Sequence, residues 1–394
     1  MSTRRLVRTL QAATFLLAAS YGVMFTMLDD YRDEYGISET FLGLVVAVGF
    51  FASFGAQLGL APLADRGHAR RLLVIGFASV VLGCLLMGFG TTALVIILGR
   101  VLMGIGAGMS LPALRRIIIV SDPEHMGLNM GRLVSVDVAG FATGPVIAVA
   151  TVDPIGIPAP FVVLAIGTVI VAFAIFRSAI PETASDEQPS ERFAFDLLKN
   201  RGVTAGILIG LALFLMIGTF DSLWAIMMED LDAPSWMANL GIALFALPMV
   251  VLGPIGGKLA QRVGPYAVGS IGMLVGALCM TLYGLLPSPY LMMVVFLLHT
   301  TNDGLTVTSA GVAVGIAAPS ERQAGAQGLL GGLQTLVGGF AASAAGWSYD
   351  TFDRGVTFVA CAILIVVLVG TGYTLAGDLR SRPVVPDPAP VTTA

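Results

Sequence analysis

Apolar runs of about twenty residues, each closed by a charged or Pro/Gly-rich break, recur along the whole chain. A helix rises about 1.5 Å per residue, so a run of that length spans the hydrocarbon core of a bilayer. Cutting at the breaks predicts twelve helices. The first six cover roughly residues 9–29, 40–62, 72–90, 93–115, 128–150 and 158–177, and the second six 202–227, 237–257, 266–286, 290–317, 324–346 and 355–376. A polar stretch, 181–201, parts the two sets, and a Pro-rich tail follows Gly377. The expected fold is an all-α polytopic membrane protein.

A repeat divides the chain in the same place. Leu63-Ala64-Asp65-Arg66 is echoed 196 positions later by Leu259-Ala260-Gln261-Arg262. An internal repeat of this length signals two halves of one build. The expected organisation is an N-terminal six-helix bundle (1–180), a linker (181–201), a C-terminal six-helix bundle (202–376) and a disordered tail (377–394).

Composition agrees: 56% of residues are hydrophobic and 12% charged, about half the charge of an average soluble domain. Arg4, Arg5 and Arg8 before an apolar run imitate a secretory signal, but the run extends to about Leu28 and reads as the first membrane helix. Cys84, Cys279 and Cys361 lie singly in apolar runs, which indicates neither a metal site nor a disulfide framework. The net charge of −4 says little, whereas the placement of charge says more. If the N-terminus is cytoplasmic, 17 of the 21 Lys and Arg residues fall on inner segments, Arg115 and Arg116 among them. Only Arg32 and Arg354 fall outside, while Arg100 and Arg132 lie in or near spans. That bias predicts both termini in the cytoplasm and an even number of spans; the expected location is the plasma membrane.

Charge inside the bilayer costs several kcal/mol and is kept where it faces protein or water. Spans three, six, nine and twelve carry none, apart from Arg177 at the inner end of span six, which fits lipid-facing positions around a cavity lined by the others. Arg100, Asp137, Asp221 and Asp303 lie in spans four, five, seven and ten. Arg100 is too deep to set topology, and its structural alternative is a hydrogen bond to loop carbonyls or a neighbouring helix. Asp137 is a candidate proton site or inner-gate partner. Asp221 lies near the outer end of its span with Trp224 one turn on, so an outer-rim role competes with a functional one. The most polar intramembrane stretch holds His299, Asn302, Asp303 and Thr306, whose i, i+3, i+4, i+7 spacing puts them on one helix face. A His and an Asp one turn apart can share a proton. A satisfied hydrogen-bond cluster is the alternative. Tyr21, Gln57 and Gln334 are further candidates for cavity groups.

Three motifs give the chain a resemblance. The loop after span two, Ala61 to Arg70, resembles the G-x-L-A-D-R-x-G-R-R signature of the major facilitator superfamily of secondary transporters. Ala61 and His68 replace its two glycines, and Gly67 is shifted by one. Arg100 to Gly108 is similar to the family's R-x-x-x-G-x-G motif. Gly131, Gly140, Gly144 and Pro145 resemble the helix-five signature of its antiporter branch, with Ala148-Val149 where a glycine pair closes it. The resemblance implies that Asp65 latches an inner gate against helix eleven, with Arg66, Arg70 and Arg262 beside it. For Arg100 it implies proton coupling or substrate contact. Gly140 and Gly144 form a small-xxx-small face, and Pro145 predicts a kink; the resemblance implies a rigid hinge that seals against leak, with ordinary close helix packing as the alternative.

The expected function is proton-coupled efflux of a small organic compound by alternating access. The chain would act as a monomer in the lipid bilayer, with a small-molecule substrate and protons as its partners. No cofactor, no metal and no nucleic acid are expected, the proton gradient being the energy source. Import of a metabolite such as an organic anion is the alternative, with a non-transporting sensor further behind. No nucleophile–base pair or Walker-type sequence points to an enzyme.

Overall fold

The computed structural model describes residues 3–184 and 186–381. Among these residues no strand occurs, and fourteen α-helices carry the fold. The first half comprises α1 (Thr3–Thr26), α2 (Leu28–Tyr35), α3 (Glu39–Gly59), α4 (Ala69–Phe89), α5 (Ala93–Ser121), α6 (Met126–Ile155) and α7 (Pro158–Phe176). The second comprises α8 (Arg201–Asp230), α9 (Ser235–Val263), α10 (Pro265–Leu285), α11 (Pro289–Thr306), α12 (Ser309–Ala317), α13 (Gln323–Thr351) and α14 (Arg354–Ala376).

Eleven described helices are long and apolar enough to cross a membrane. The expected tenth span, 290–317, supplies the remaining crossing and differs: it divides into α11 and α12 at Val307–Thr308. The break follows Gly304 and the polar face, where side chains compete for backbone partners; Thr306 Oγ1 donates to Asn302 O at 2.9 Å. The short α2 is an addition, folded back on the first half by Tyr31, which is fully buried and donates to Met87 O at 2.9 Å.

Two six-helix halves result, built alike. α1 packs on α6 as α8 packs on α13, α3 on α5 as α9 on α11, and α4 on α7 as α10 on α14. The halves meet through α6 with α9 and through α3 and α5 with α13. The helices expected to face lipid (α4, α7, α10 and α14) take no substantial part in that seam and expose Leu82, Ile170, Leu278 and Val367 instead. Without a hydrophobic drive between helices in lipid, close approach of small residues holds such a seam. A β-carbon on Gly131 would strike the backbone of Gly253, and one on Gly257 the backbone of Gly127.

The connection between halves is more ordered than a plain polar linker. It carries a 3-10 turn, Phe195–Lys199, and Arg322 grips Asp196 through two bonds of 3.0 and 2.6 Å. Of the expected tail, Gly377–Ser381 forms a 3-10 turn and residues 382–394 lie outside the described residues.

Candidate functional site

One end of the molecule is closed by two latches. The first is Asp65, 1% exposed, at the end of the 3-10 turn that follows α3. Its two carboxylate oxygens accept the backbone N–H groups of Ala324 (2.9 Å) and Gly325 (2.7 Å) in the first turn of α13. Those amides have no partner within their helix, and the helix dipole favours an anion there. Arg116, itself 2% exposed, stands 3.2 Å from the same carboxylate and donates to Pro181 O (2.8 Å) and Thr183 Oγ1 (2.6 Å).

The second latch is the repeat's own copy. Gln261 Oε1 accepts the Gly127 N–H at 2.8 Å, and its Nε2 donates to the carbonyls of Pro123 (3.2 Å) and Glu124 (3.1 Å) at the start of α6. An amide thus does in the second half, with donor and acceptor together, what a carboxylate does in the first. Among the described residues, every hydrogen bond between the halves lies at this end or just above it, where Ser135 Oγ donates to Met249 O at 3.4 Å.

The other residues expected at the gate sit differently. Arg70 Nη2 donates to Ser178 O at 2.7 Å within its own half. Arg66 is half-buried and Arg262 exposed, and neither side chain bonds across the seam. The departures from the loop signature have a local reason. Gly67 alone needs a left-handed backbone (φ 73°), and Gln188 leaves its β position only 3.1 Å of room. Ala61 and His68 adopt ordinary backbone, so glycine is not required there. In the second copy the left-handed residue is Gly264 (φ 119°), one position further on.

Above the latches lies a cavity of about 220 Å³ between the halves. Arg115, Asp137 and Thr14 face it from the first half, and Gln334 and Thr308 from the second, among apolar walls that include Leu133, Val138, Phe214 and Ile217. Arg115 is a correction. The apolar run of span four stops at Arg115, which places it among the inner topological charges. α5 instead runs on to Ser121, which sets Arg115 about 9 Å inside the helix at the standard rise. Its neighbour Arg116 is no surface charge either, since it faces Asp65. Neither Arg115 nor Asp137 makes a hydrogen bond or an ion pair within 4.0 Å among the described residues.

The polar face of α11 does not line this cavity. His299 and Asp303 are each 1% exposed and turn into the core of the second half. His299 Nε2 lies 3.4 Å from Asp303 Oδ2 and 3.2 Å from Met216 Sδ, while its Nδ1 is 3.2 Å from Tyr283 OH. Asn302 Nδ2 donates to Gly272 O (3.0 Å) and Asp303 Oδ1 (3.2 Å). Phe220 closes the pocket edge-on to His299. The i, i+3, i+4, i+7 face is therefore real, but it is a buried cluster with one proton-bearing pair at its centre. Trp224 is not an interfacial anchor as its residue type suggested: it is 4% exposed and stacks on Phe296 at 4.8 Å. Asp221, one turn earlier, is exposed.

Arg100 is the largest fully buried side chain. Its guanidinium sits 4.2 Å over the ring of Tyr21 and 5.7 Å from that of Phe50, and none of its three nitrogens has a hydrogen-bond partner among the described residues. Gly49 makes the space, because a β-carbon there would fall on the guanidinium. The expected alternative, a hydrogen bond to loop carbonyls or a neighbouring helix, does not occur among the described residues.

The helix-five residues serve two seams. Gly131 faces α9 of the other half, whereas Gly140 and Gly144 face α1 at Phe15 and Gly22. α6 continues unbroken through Pro145. Proline cannot donate to Phe141 O, and Gly22 packs against that freed oxygen. Arg132 is exposed.

A two-half helical bundle with a closed end and a central cavity has the architecture of a secondary transporter. Comparison with known proteins makes this specific. The family model described as Major Facilitator Superfamily matches residues 10–223 and again residues 206–393, and the chain belongs to that family. It is a multi-pass membrane transporter of small molecules, not an enzyme. It is 22% identical over 305 residues to the multidrug resistance protein MdtG of Klebsiella pneumoniae, covering 74% of each chain. It is 29% identical over 136 residues to the quinolone resistance protein NorA of Staphylococcus aureus, a match that covers 33% of this chain and 34% of that one. Among solved structures, the human organic anion transporter MFSD10 superposes with a TM-score of 0.76 at 16% identity, covering 94% of this chain and 100% of that one. A single-residue variant of the E. coli fucose:proton symporter FucP superposes with a TM-score of 0.77 at 14% identity, covering 95% and 99%.

Proposed function

We propose that this chain is a proton-coupled exporter of a small organic compound, driven by the proton gradient without a cofactor and working as a monomer in the plasma membrane. Both termini and the latched end face the cytoplasm on this reading, which the lysine and arginine bias supports. The observation that carries the reading is the cavity: both halves line it, it is closed at the Asp65 end, and it holds charged groups without hydrogen-bond partners among the described residues. Substrate enters the cavity from the cytoplasm when the latches part and leaves on the other side when they close, as the two halves rock about it. The drug-resistance relatives support export. Import of an organic anion is the second reading, favoured by Arg115 in the cavity and by the likeness to MFSD10, an organic anion transporter.

On this reading two acids carry the protons. Asp137 shares the cavity with substrate, so a proton there responds directly to substrate charge. Asp303 is held against His299 in the second half, where a proton exchanged between the two changes the packing of α11 and, through the break at Val307–Thr308, of α12. Purified protein in liposomes with an imposed pH gradient tests this over a panel of compounds. Export by antiport moves protons opposite to substrate, and symport moves them together; lumenal pH reads the difference. Asp303→Asn and Asp137→Asn together abolish proton movement on this reading. Accumulation of substrate against its gradient by that double variant, still driven by the pH gradient, would refute the assignment.

A further inference from the structure

The cavity places two opposite charges before the substrate and gives neither a partner in contact. Arg115 on α5 and Asp137 on α6 both face it, and neither has a hydrogen bond or an ion pair within 4.0 Å among the described residues. Each feels the other's field without touching it. Arg115 extends toward α13, where its Nη1 lies 3.6 Å from the β position of Gly331 in the other half. An isolated charge in a low-dielectric interior is expensive, so each of these groups favours a ligand that brings its counter-charge.

We infer that the cavity selects a small amphipathic zwitterion, with a carboxylate for Arg115, a protonated amine for Asp137 and an apolar body against the walls beside them. This rests on the reading of the cavity as the substrate site. A ligand with only a negative group satisfies Arg115 and leaves Asp137 unpaired beside a like charge. A ligand with only a positive group does the reverse. The zwitterion satisfies both, and Arg115 with Asp137 sum to no net charge, as it does. The guanidinium suits the anionic end, because its planar fork matches a carboxylate through two parallel bonds. Leu111, Leu133, Val138, Phe214 and Ile217 supply apolar walls for the body, and Gln334 a polar group at the second half's side. Size narrows the class further: about 220 Å³ lies below the roughly 300–1,000 Å³ of drug-sized pockets. The body is that of a single small ring or branched chain.

Three probes with one skeleton test this without a transport assay: phenylalanine (zwitterion), 3-phenylpropionate (anion) and 2-phenylethylamine (cation). Each is titrated at neutral pH into the full-length protein in nanodiscs, with binding read by calorimetry. Phenylalanine is expected to bind about 10- to 100-fold more tightly than either singly charged probe, the worth of one charge-assisted hydrogen-bonded partner. Arg115→Gln then brings phenylalanine down to the level of phenylethylamine without weakening the latter, and Asp137→Asn brings it down to that of phenylpropionate. Arg115→Lys and Asp137→Glu keep the wild-type ranking, which separates charge from fold. A singly charged probe that binds the wild type as tightly as phenylalanine overturns the inference. So does failure of all three to bind the wild type, or an equal loss of all three in both neutral variants. Binding is read with no gradient present. A protein that shows the ranking but moves no protons therefore keeps the substrate class and loses the coupling, and one that moves protons without the ranking does the opposite.

Discussion

Asp65 shows how much one carboxylate can do when it is buried with all its partners. It accepts two backbone amides of α13 and faces Arg116, so its loss exposes three groups at once. Asp65→Asn keeps the shape but leaves one amide and the guanidinium short of a partner. Loss of an N-cap costs about 0.5–2 kcal/mol and stripping a buried cation of its partner costs more. The closed state should weaken by about 2 kcal/mol, which is about a 30-fold change in population. Expected is normal insertion with a transport rate at least about 10-fold lower at matched expression; an unchanged rate would remove Asp65 from the gate. Arg100 makes a different demand. With no hydrogen-bond partner among the described residues, its charge is held by the face of Tyr21 at 4.2 Å. Tyr21→Leu should lower thermal stability by about 0.5–2 kcal/mol in detergent, whereas Tyr21→Phe, which keeps the ring, should not. Of these residues, Asp65 was legible in the sequence, because the loop motif names it. Arg115 was not. Two adjacent arginines at the apparent end of an apolar run read as topology, and only the further residues of α5, to Ser121, move them inside.

Elements were legible where hydrophobicity alone decides them and were misplaced where polar chemistry competes. Eleven spans appear as expected because each is a long apolar run. The tenth divides because Asn302, Asp303, Thr306 and Thr308 interrupt both its apolar character and its backbone ladder. Periodicity correctly put His299 and Asp303 on one face but could not say which neighbour that face meets. It meets α8 and α10 through Met216, Tyr283 and Gly272, which no motif or charge marks in the sequence. The seam between α6 and α9 is an element-scale feature of the same kind. Gly127, Gly131, Gly253 and Gly257 bring the two backbones into contact, and at Gly131 and Gly257 a β-carbon would meet backbone alone, with no flexible side chain to yield. Gly131→Ala and Gly257→Ala should each wedge the helices apart and shift the protein toward opening of the latched end. A cysteine placed on Gln323, 2% exposed behind the Asp65 latch, should then react with a water-soluble maleimide at least several-fold faster than in the parent. Equal rates would show that the seam tolerates the added carbon.

At the scale of the whole molecule the two latches are copies of one device, set in different seams. Asp65 acts between α3 and α13, and Gln261 between α9 and α6. Their partners do not overlap: Ala324, Gly325 and Arg116 serve the first, Gly127, Pro123 and Glu124 the second. Only one of the two is charged, so the halves are not equivalent in what holds them. Asp65→Asn should cost the closed state about 2 kcal/mol, while Gln261→Ala removes neutral hydrogen bonds of about 1 kcal/mol net. If the halves move as rigid bodies, both latches oppose a single opening step. Their effects then add in free energy, since sites without shared partners are independent. The open-to-closed ratio should shift about 30-fold and about 5-fold in the single variants and by about the product in the double one. Spin labels on exposed His68 and Arg262, one in each half beside the latches, would report the two populations as two distance peaks. A double variant no more open than Asp65→Asn alone would mean that the seams open separately. Closure would then be a sequence of local steps in place of the rocking of two halves.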